Sequence, residues 1–233
     1  MAQLFSALAP TPTAPQAMES DVETRAVVRQ LCHEIRQPLS TIESAAYYLQ
    51  LIAPNDVRFD RELERIQQMA YQANWILADV VHYIQATPPR MEWVDLGECV
   101  TGTISSLIPA MARVEFSCPE DRSATLTLID PAQAQHLVRA ILSVFRQIAR
   151  NDESVRINLG RRGERIVLNV RCRADERLCE FAEDLMQPFT PHLPAGSGLA
   201  LASVRRIAEV HQGSAQVEAR DGMLVLEVAL PAH

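Results

Sequence analysis

Apolar residues recur at Val28, Cys32, Ile35, Leu39, Ile42, Ala46, Leu49 and Ala53, in alternating steps of four and three. That spacing predicts a long helix carrying a heptad seam. Pro54 and Asn55 end it, and a second seam follows through Phe59, Leu63, Ile66, Ala70, Ala73, Leu77, Val80 and Ile84, closed by Pro88 and Pro89. Two long helices joined by a Pro-Asn-Asp turn predict an antiparallel hairpin. Further apolar positions flank the first stripe (Leu31, Leu51) and the second (Met69, Ile76, Val81), so each helix needs more than one neighbour. A homodimer, in which two hairpins form a four-helix bundle, meets that need. Packing of the hairpin against the remainder of its own chain is the alternative.

Residues 1–18 contain Pro10, Pro12 and Pro15 without a periodic apolar face, which predicts a flexible tail ahead of a hairpin domain at 19–90. Beyond residue 90 the period changes and a second domain, 91–233, is expected. Its pattern predicts a helix near 95–112, strands at 114–118 and 124–129, and a helix from Asp130-Pro131 to about Arg150 with Asp at the cap and Pro in the first turn. Strands at 154–160 and 165–172 follow. A weak helix near 177–186, a loop from Pro188 to Gly198, a helix over 199–211 and strands at 214–220 and 223–230 complete it. The last two strands meet at Asp221-Gly222, a strong hairpin signal. The fold class is therefore α+β, a helical hairpin followed by a domain with a mostly antiparallel sheet.

Composition narrows the chemistry. A hydrophobic content of 48% in 233 residues supports a packed core, and the net charge of −7 comes without a basic block, so no nucleic-acid partner is expected. All 22 basic side chains are arginine, which excludes any mechanism needing a lysine amine. Cys32, Cys99, Cys118, Cys172 and Cys179 form no CxxC pair and fit neither a disulfide framework nor a zinc site. They read as buried thiols of a reducing compartment. His82, His136 and His192 lack paired ligand spacing, so no metal site is expected. The sequence shows no signal peptide, no membrane span and no sensor domain, so a cytoplasmic protein without a membrane partner is expected.

Within the first helix, His33-Glu34-Ile35-Arg36-Gln37-Pro38-Leu39 sets His33 one position past Cys32, about 100° round from the seam and on the outer face. Glu34 follows directly, and a carboxylate beside an imidazole can hold one ring N–H and leave the other nitrogen nucleophilic. Pro38 removes a helical hydrogen bond and predicts a bend near His33. The segment resembles the H-box of sensor histidine kinases, His-Glu-x-Arg-x-Pro-Leu, and every fixed position matches. The second domain resembles the ATPase domain of the same family, so an α/β sandwich of that type is expected. By that resemblance His33 is the phosphoacceptor and Glu34 its acid/base partner. Gln37 stands where relatives orient a hydrolytic water, and Arg36 and Gln37 dock the partner.

The nucleotide boxes of that family fare worse. In LVRAILSVFRQIAR the alignment places Ala140 and Val144 at the magnesium-binding asparagines and Gln147 at the lysine. Cys172 falls at the adenine-binding aspartate, with Ala174 and Glu176 at glycine positions, and nearby Asp175 reaches that position only in a shifted register. Gly196-Ser197-Gly198-Leu199 resembles the last glycine box, a vestigial phosphate cradle, while His211 and Gly213 read as a helix C-cap. The chain is thus most similar to dimeric histidine phosphotransferases, which carry a phosphoryl group between receiver-domain aspartates. On that reading no cofactor is expected, ATP is not used, and Mg²⁺ comes with the receiver. Response-regulator receivers, and a hybrid sensor kinase as their source, are the partners. An ATP-dependent kinase without a sensor, and a non-catalytic adaptor or inhibitor, are the alternatives.

Overall fold

The computed structural model of the chain describes all residues except 1–13, 53–56, 85–87, 107–112, 151–152, 195 and 233. Helix α1 spans Ala14–Ile52 and α2 spans Val57–Ile84, and the two pack along their lengths as the heptads predict. Helix α1 starts inside the stretch expected to be tail. Residues 14–18 continue a long helix, whose added turns need no nucleation of their own. The Pro54-Asn55 turn and residues 1–13 lie outside the described residues. Asn74 Nδ2 donates to Glu43 Oε1 (3.2 Å) across the hairpin. Pro38 sits within an uninterrupted α1.

In the second domain β1 (Glu92–Asp95) leads into α3 (Leu96–Ser106), β2 (Val114–Ser117), β3 (Leu126–Ile129) and α4 (Pro131–Ile148). Strands β4 (Val155–Arg162) and β5 (Arg165–Arg173), helices α5 (Glu176–Glu180) and α6 (Ala200–Val210), and strands β6 (Ser214–Arg220) and β7 (Met223–Pro231) follow. The main sheet has the order β2-β4-β5-β7-β6. Only β2 and β4, separated in sequence by β3 and α4, are parallel. Strand β1 was not predicted: its four residues are too short to show a period, and it forms a separate antiparallel pair with β3. The predicted helix at 177–186 divides into α5 and a 3₁₀ turn, Ala182–Met186.

Alternation along β7 turns Leu224, Leu226, Val228 and Leu230 inward. They meet Leu137, Ile141 and Phe145 of α4 and Leu201, Val204 and Ile207 of α6 in one core under one face of the sheet. Each such side chain, fully buried, contributes about 1.5–3 kcal/mol. The result is the expected α+β sandwich. The Asp221-Gly222 turn has both residues at positive φ (51° and 73°), as a two-residue hairpin of its twist requires.

Two caps set the orientation of the helices at the domain junction. Asp130 Oδ1 accepts from the N–H groups of Ala132 and Gln133, and Oδ2 accepts from Arg90 N–H. Burial raises its pKa, but these bonds and nearby His211 outweigh that and hold the carboxyl below its usual value. At the end of α6, Gly213 N–H donates to Ala208 O (2.8 Å) and Gln212 N–H to Glu209 O (3.1 Å), a Schellman closure. The left-handed residue there is Gln212, at φ 58°, and not the glycine expected. Gly213 is required for another reason: a Cβ there would lie 2.4 Å from the carbonyl oxygen of Ala229 on β7. Buried His211 fixes the junction from the other side, its Nε2 accepting from Asp130 N–H (3.1 Å) and its Nδ1 meeting Ile207 O (2.8 Å).

Candidate functional site

His33 lies on the exposed face of α1 while its neighbour Cys32 is buried against α2. Glu34 and Gln37 are exposed and Arg36 is half-buried, so the four polar side chains of His33, Glu34, Arg36 and Gln37 lie on one accessible stretch of the helix. His33 and Gln37 are four residues apart and share a helix face. Around them the seam is only half covered. Cys32, Ala46, Leu63 and Ala70 are buried, whereas Ile35, Ile42, Leu49 and Ile66 remain between 39% and 47% exposed.

The positions aligned with nucleotide-binding groups have a different fate. Ala140, Val144 and Cys172 are buried members of the sheet-domain core, and Gln147 is exposed with its amide bonded to Ser143. Burial, with a smaller effect of nearby Cys179, pushes the Cys172 thiol up to about 12, so it stays neutral. Asp175, three residues past the adenine position, caps α5 by accepting from Arg177 N–H (3.0 Å). Ala140 and Val144 have no oxygen to offer magnesium, and Cys172 is a poor acceptor for an adenine amino group. These residues do not fit an ATP–Mg²⁺ complex.

The glycine loop Gly196-Ser197-Gly198 is present but covered. A Cβ on Gly196, which has φ 87°, would lie 2.7 Å from Gln72 Nε2 and 3.2 Å from Ile76 of α2. Ser197 is buried, and Gly198 O accepts from the N–H of Phe189 (2.7 Å), a 75% exposed residue at φ 59°. Helix α2 continues along the same face. Arg139 of α4 lies 4.2 Å over the Trp75 ring and reaches the Tyr71 hydroxyl (3.3 Å). One turn on, buried Asp79 meets His136 of α4 (Oδ1 to Nε2, 3.0 Å), while Ser203 of α6 lies 3.2 Å from the same Nε2. Ser203 also donates to Ala200 O (2.8 Å), and the rings of His82 and His136 lie with centroids 4.0 Å apart at a tilt of 32°.

This Asp-His-Ser set is not a nucleophilic triad. Acid and hydroxyl meet the same ring nitrogen, whereas a relay needs them on opposite nitrogens, and Ser203 is fully buried. Its role is to bind the hairpin to the sheet domain through a satisfied polar bridge. The sequence sets His82 and His136 aside as metal ligands and does not single out Asp79 or Ser203. A polar residue beside the seam at Val80 was the only signal.

His192 stacks on Phe181 (4.1 Å, 7° between planes), and among the described residues no group of histidine, cysteine and acidic side chains could hold a metal. Of the cysteines, Cys32 and Cys172 are buried and Cys99 and Cys179 half-buried. Cys118, just past the end of β2, is exposed, contrary to the expectation that all five are buried, because β2 is the sheet's edge strand.

A helical hairpin that carries a segment resembling the H-box, followed by a sandwich of this topology, resembles the histidine kinases in fold. No protein-family model matches it. It is 28% identical over 213 residues (86% of this chain) to the C4-dicarboxylate transport sensor protein DctS of Rhodobacter capsulatus. It is 27% identical over 199 residues (82% of this chain) to the sensor histidine kinase ZraS of Klebsiella oxytoca. The chain spans 32% and 42% of the lengths of those relatives. The solved Acinetobacter baumannii histidine kinase AdeS superposes with a TM-score of 0.58 at 17% identity, covering 86% of this chain and 98% of that one. The chain is similar to sensor histidine kinases in sequence and shares their fold, as the H-box implies. No described helix is long and apolar enough to cross a membrane.

Proposed function

We propose that the protein is a homodimeric histidine phosphotransferase that carries a phosphoryl group between receiver-domain aspartates through His33. The observation that supports it most is the contrast between an accessible, complete H-box and a nucleotide face whose ligand positions are Ala140, Val144 and Cys172, buried in the core. In the transfer, an imidazole nitrogen of His33 attacks the phosphorus of an aspartyl phosphate. The N–P bond forms as the acyl P–O bond breaks, the donor aspartate leaves as carboxylate, and Glu34 takes the imidazole proton. The reverse step onto a second receiver restores His33. Positioning supplies most of the acceleration, and the Mg²⁺ that neutralises the phosphoryl oxygens travels with the receiver. Arg36 and Gln37 flank the entry and offer the receiver a cation and an amide.

A second reading, an ATP-dependent autokinase, is favoured by the relative ZraS, a sensor histidine kinase. One experiment separates the two. Purified protein is incubated either with labelled ATP and Mg²⁺ or with a labelled phospho-receiver domain. Label is expected on His33 only in the second arm, and none on His33→Ala. Labelling from ATP alone establishes the kinase reading, and labelling from neither source favours an adaptor.

A further inference from the structure

The segment Pro188-Phe189-Thr190 has no part in the transfer chemistry, yet its conformation is costly. Phe189 is the most exposed large apolar side chain among the described residues, at 75%. Its backbone sits at φ 59°, which bulky side chains rarely adopt. Thr190 beside it is buried, and its Oγ1 meets no hydrogen-bond partner among the described residues. The hydrogen bond from Phe189 N–H to Gly198 O (2.7 Å) holds the segment in place. Gly198 permits that approach because it lacks a Cβ, which would lie 3.2 Å from Phe189 Cα. Pro188 and Pro191 stiffen the chain on either side. The fold gains nothing from an aromatic ring left in water, and backbone strain held in place by its surroundings is found at ligand clamps.

The same segment stands beside the hairpin. Pro188, with Met186 and Gln187, lines a cavity shared with Arg25 of α1 and Tyr83 and Ile84 of α2. The glycine loop that holds Phe189 meets Gln72 and Ile76 of α2. Phe189 therefore lies along the stretch of α2 between Ile76 and Ile84. In the antiparallel hairpin the matching stretch of α1 starts at Arg25 and runs toward His33, eight residues or about 12 Å further on and about 80° round the helix. A domain of about 100 residues has a radius of gyration of about 13 Å, so one that presents an aspartyl phosphate to His33 overhangs a stretch of this length.

We infer that Phe189 is an aromatic anchor for the receiver domain that docks on His33. Its ring fills an apolar depression of the receiver while Arg36 and Gln37 meet the phosphoryl end. The inference rests on the phosphotransfer reading and adds a role in partner choice for the sheet domain. The strained backbone and the two prolines fix the ring before docking, so little freedom is lost on binding.

Transfer of label to the full chain is followed from phosphorylated receiver domains encoded in the same genome, each over a range of concentrations. With the receivers that label the parent, Phe189→Ser is expected to raise the concentration giving half-maximal rate about tenfold or more, the loss of one ring from a contact, and to leave the saturated rate unchanged. Phe189→Tyr, which keeps the ring, and Trp93→Ser, which removes an exposed aromatic from β1, are expected to transfer as the parent does. Thermal unfolding of Phe189→Ser is expected at the parent's temperature, since the ring it removes is exposed. An unchanged half-saturation overturns the inference, and so does a fall in the saturated rate alone, which would make the effect one on His33. If Phe189→Ser keeps the parent's half-saturation but loses a dimer that the parent forms, the ring belongs to the contact between copies. A parent that takes no label from any receiver overturns the phosphotransfer reading itself, and the anchor falls with it.

Discussion

The chemistry of this chain turns on what individual positions have gained and lost. His33 keeps an exposed place, whereas Cys172, where the family's adenine acceptor falls, is packed under the sheet with its thiol pushed up to about 12. At pH 8 the Cys172 thiolate is therefore scarce as well as buried, and iodoacetamide on the native protein is expected to label exposed Cys118 and spare Cys172. Peptide mapping reads this directly; equal labelling of the two would mean the core beneath β5 is open. Asp79 shows the opposite gain, a carboxylate buried beside His136 and Ser203. Asp79→Ala takes the carboxylate from the His136 ring nitrogen, which keeps only Ser203 Oγ at 3.2 Å, and breaks the link between α2 and the sheet domain. About 1–3 kcal/mol of stability should go with it, seen as a lower midpoint in urea. A midpoint unchanged from the parent's would show that the bridge contributes nothing to the fold.

At the level of elements, local rules carried most of the sequence reading. Heptads marked α1 and α2, Asp130-Pro131 marked the start of α4, and Asp221-Gly222 marked the β6–β7 turn, because each signal is complete within a few residues. The misses share a physical cause, dependence on a partner distant in sequence. Strand β1 exists through its ladder with β3, and the meeting of Asp79, His136 and Ser203 needs three helices of two domains. His33 and its neighbours were legible because their spacing alone puts them on one turn, while the covering of Gly196 by Gln72 was not. Gly213 is the instructive intermediate case. Its place at a helix end was legible, but its reason is the approach of Ala229 O to within 2.4 Å of a Cβ position. Gly213→Ala must therefore push β7 away from α6, at a cost of about 1–3 kcal/mol as for other overpacked sites. Gln212→Gly, which relieves the left-handed backbone, should instead be neutral or mildly stabilising. Thermal unfolding of the two variants separates these causes; the reverse order would show that conformation and not contact selects the glycine.

At the scale of the whole molecule, the hairpin has one partner too few. Helix α2 satisfies one flank within the chain, with Ile76 against the glycine loop and Asp79 against α4 and α6. The other flank, Ile35, Ile42 and Leu49 on α1 with Ile66 on α2, is left open, and the α1 residues are spaced by sevens as a seam between helices requires. In the proposed homodimer a second copy would supply the same residues by twofold symmetry, so the patch would be its own complement. Each side chain removed from water adds about 1.5–3 kcal/mol at most, and a carboxylate in the middle of the patch would have to be desolvated without a partner. Ile42→Glu, which lies on the outer face and touches no buried bridge, is expected to convert a dimer into a monomer of unchanged helicity. Light scattering coupled to gel filtration measures the mass, and circular dichroism the helix. Trp93→Ser, removing an exposed apolar residue of β1, serves as the control that should remain dimeric. A parent protein that is monomeric at tens of micromolar, or an Ile42→Glu variant that stays dimeric, would place the covering of this face elsewhere. The proposed transfer centre would then have to work on a hairpin without a twin.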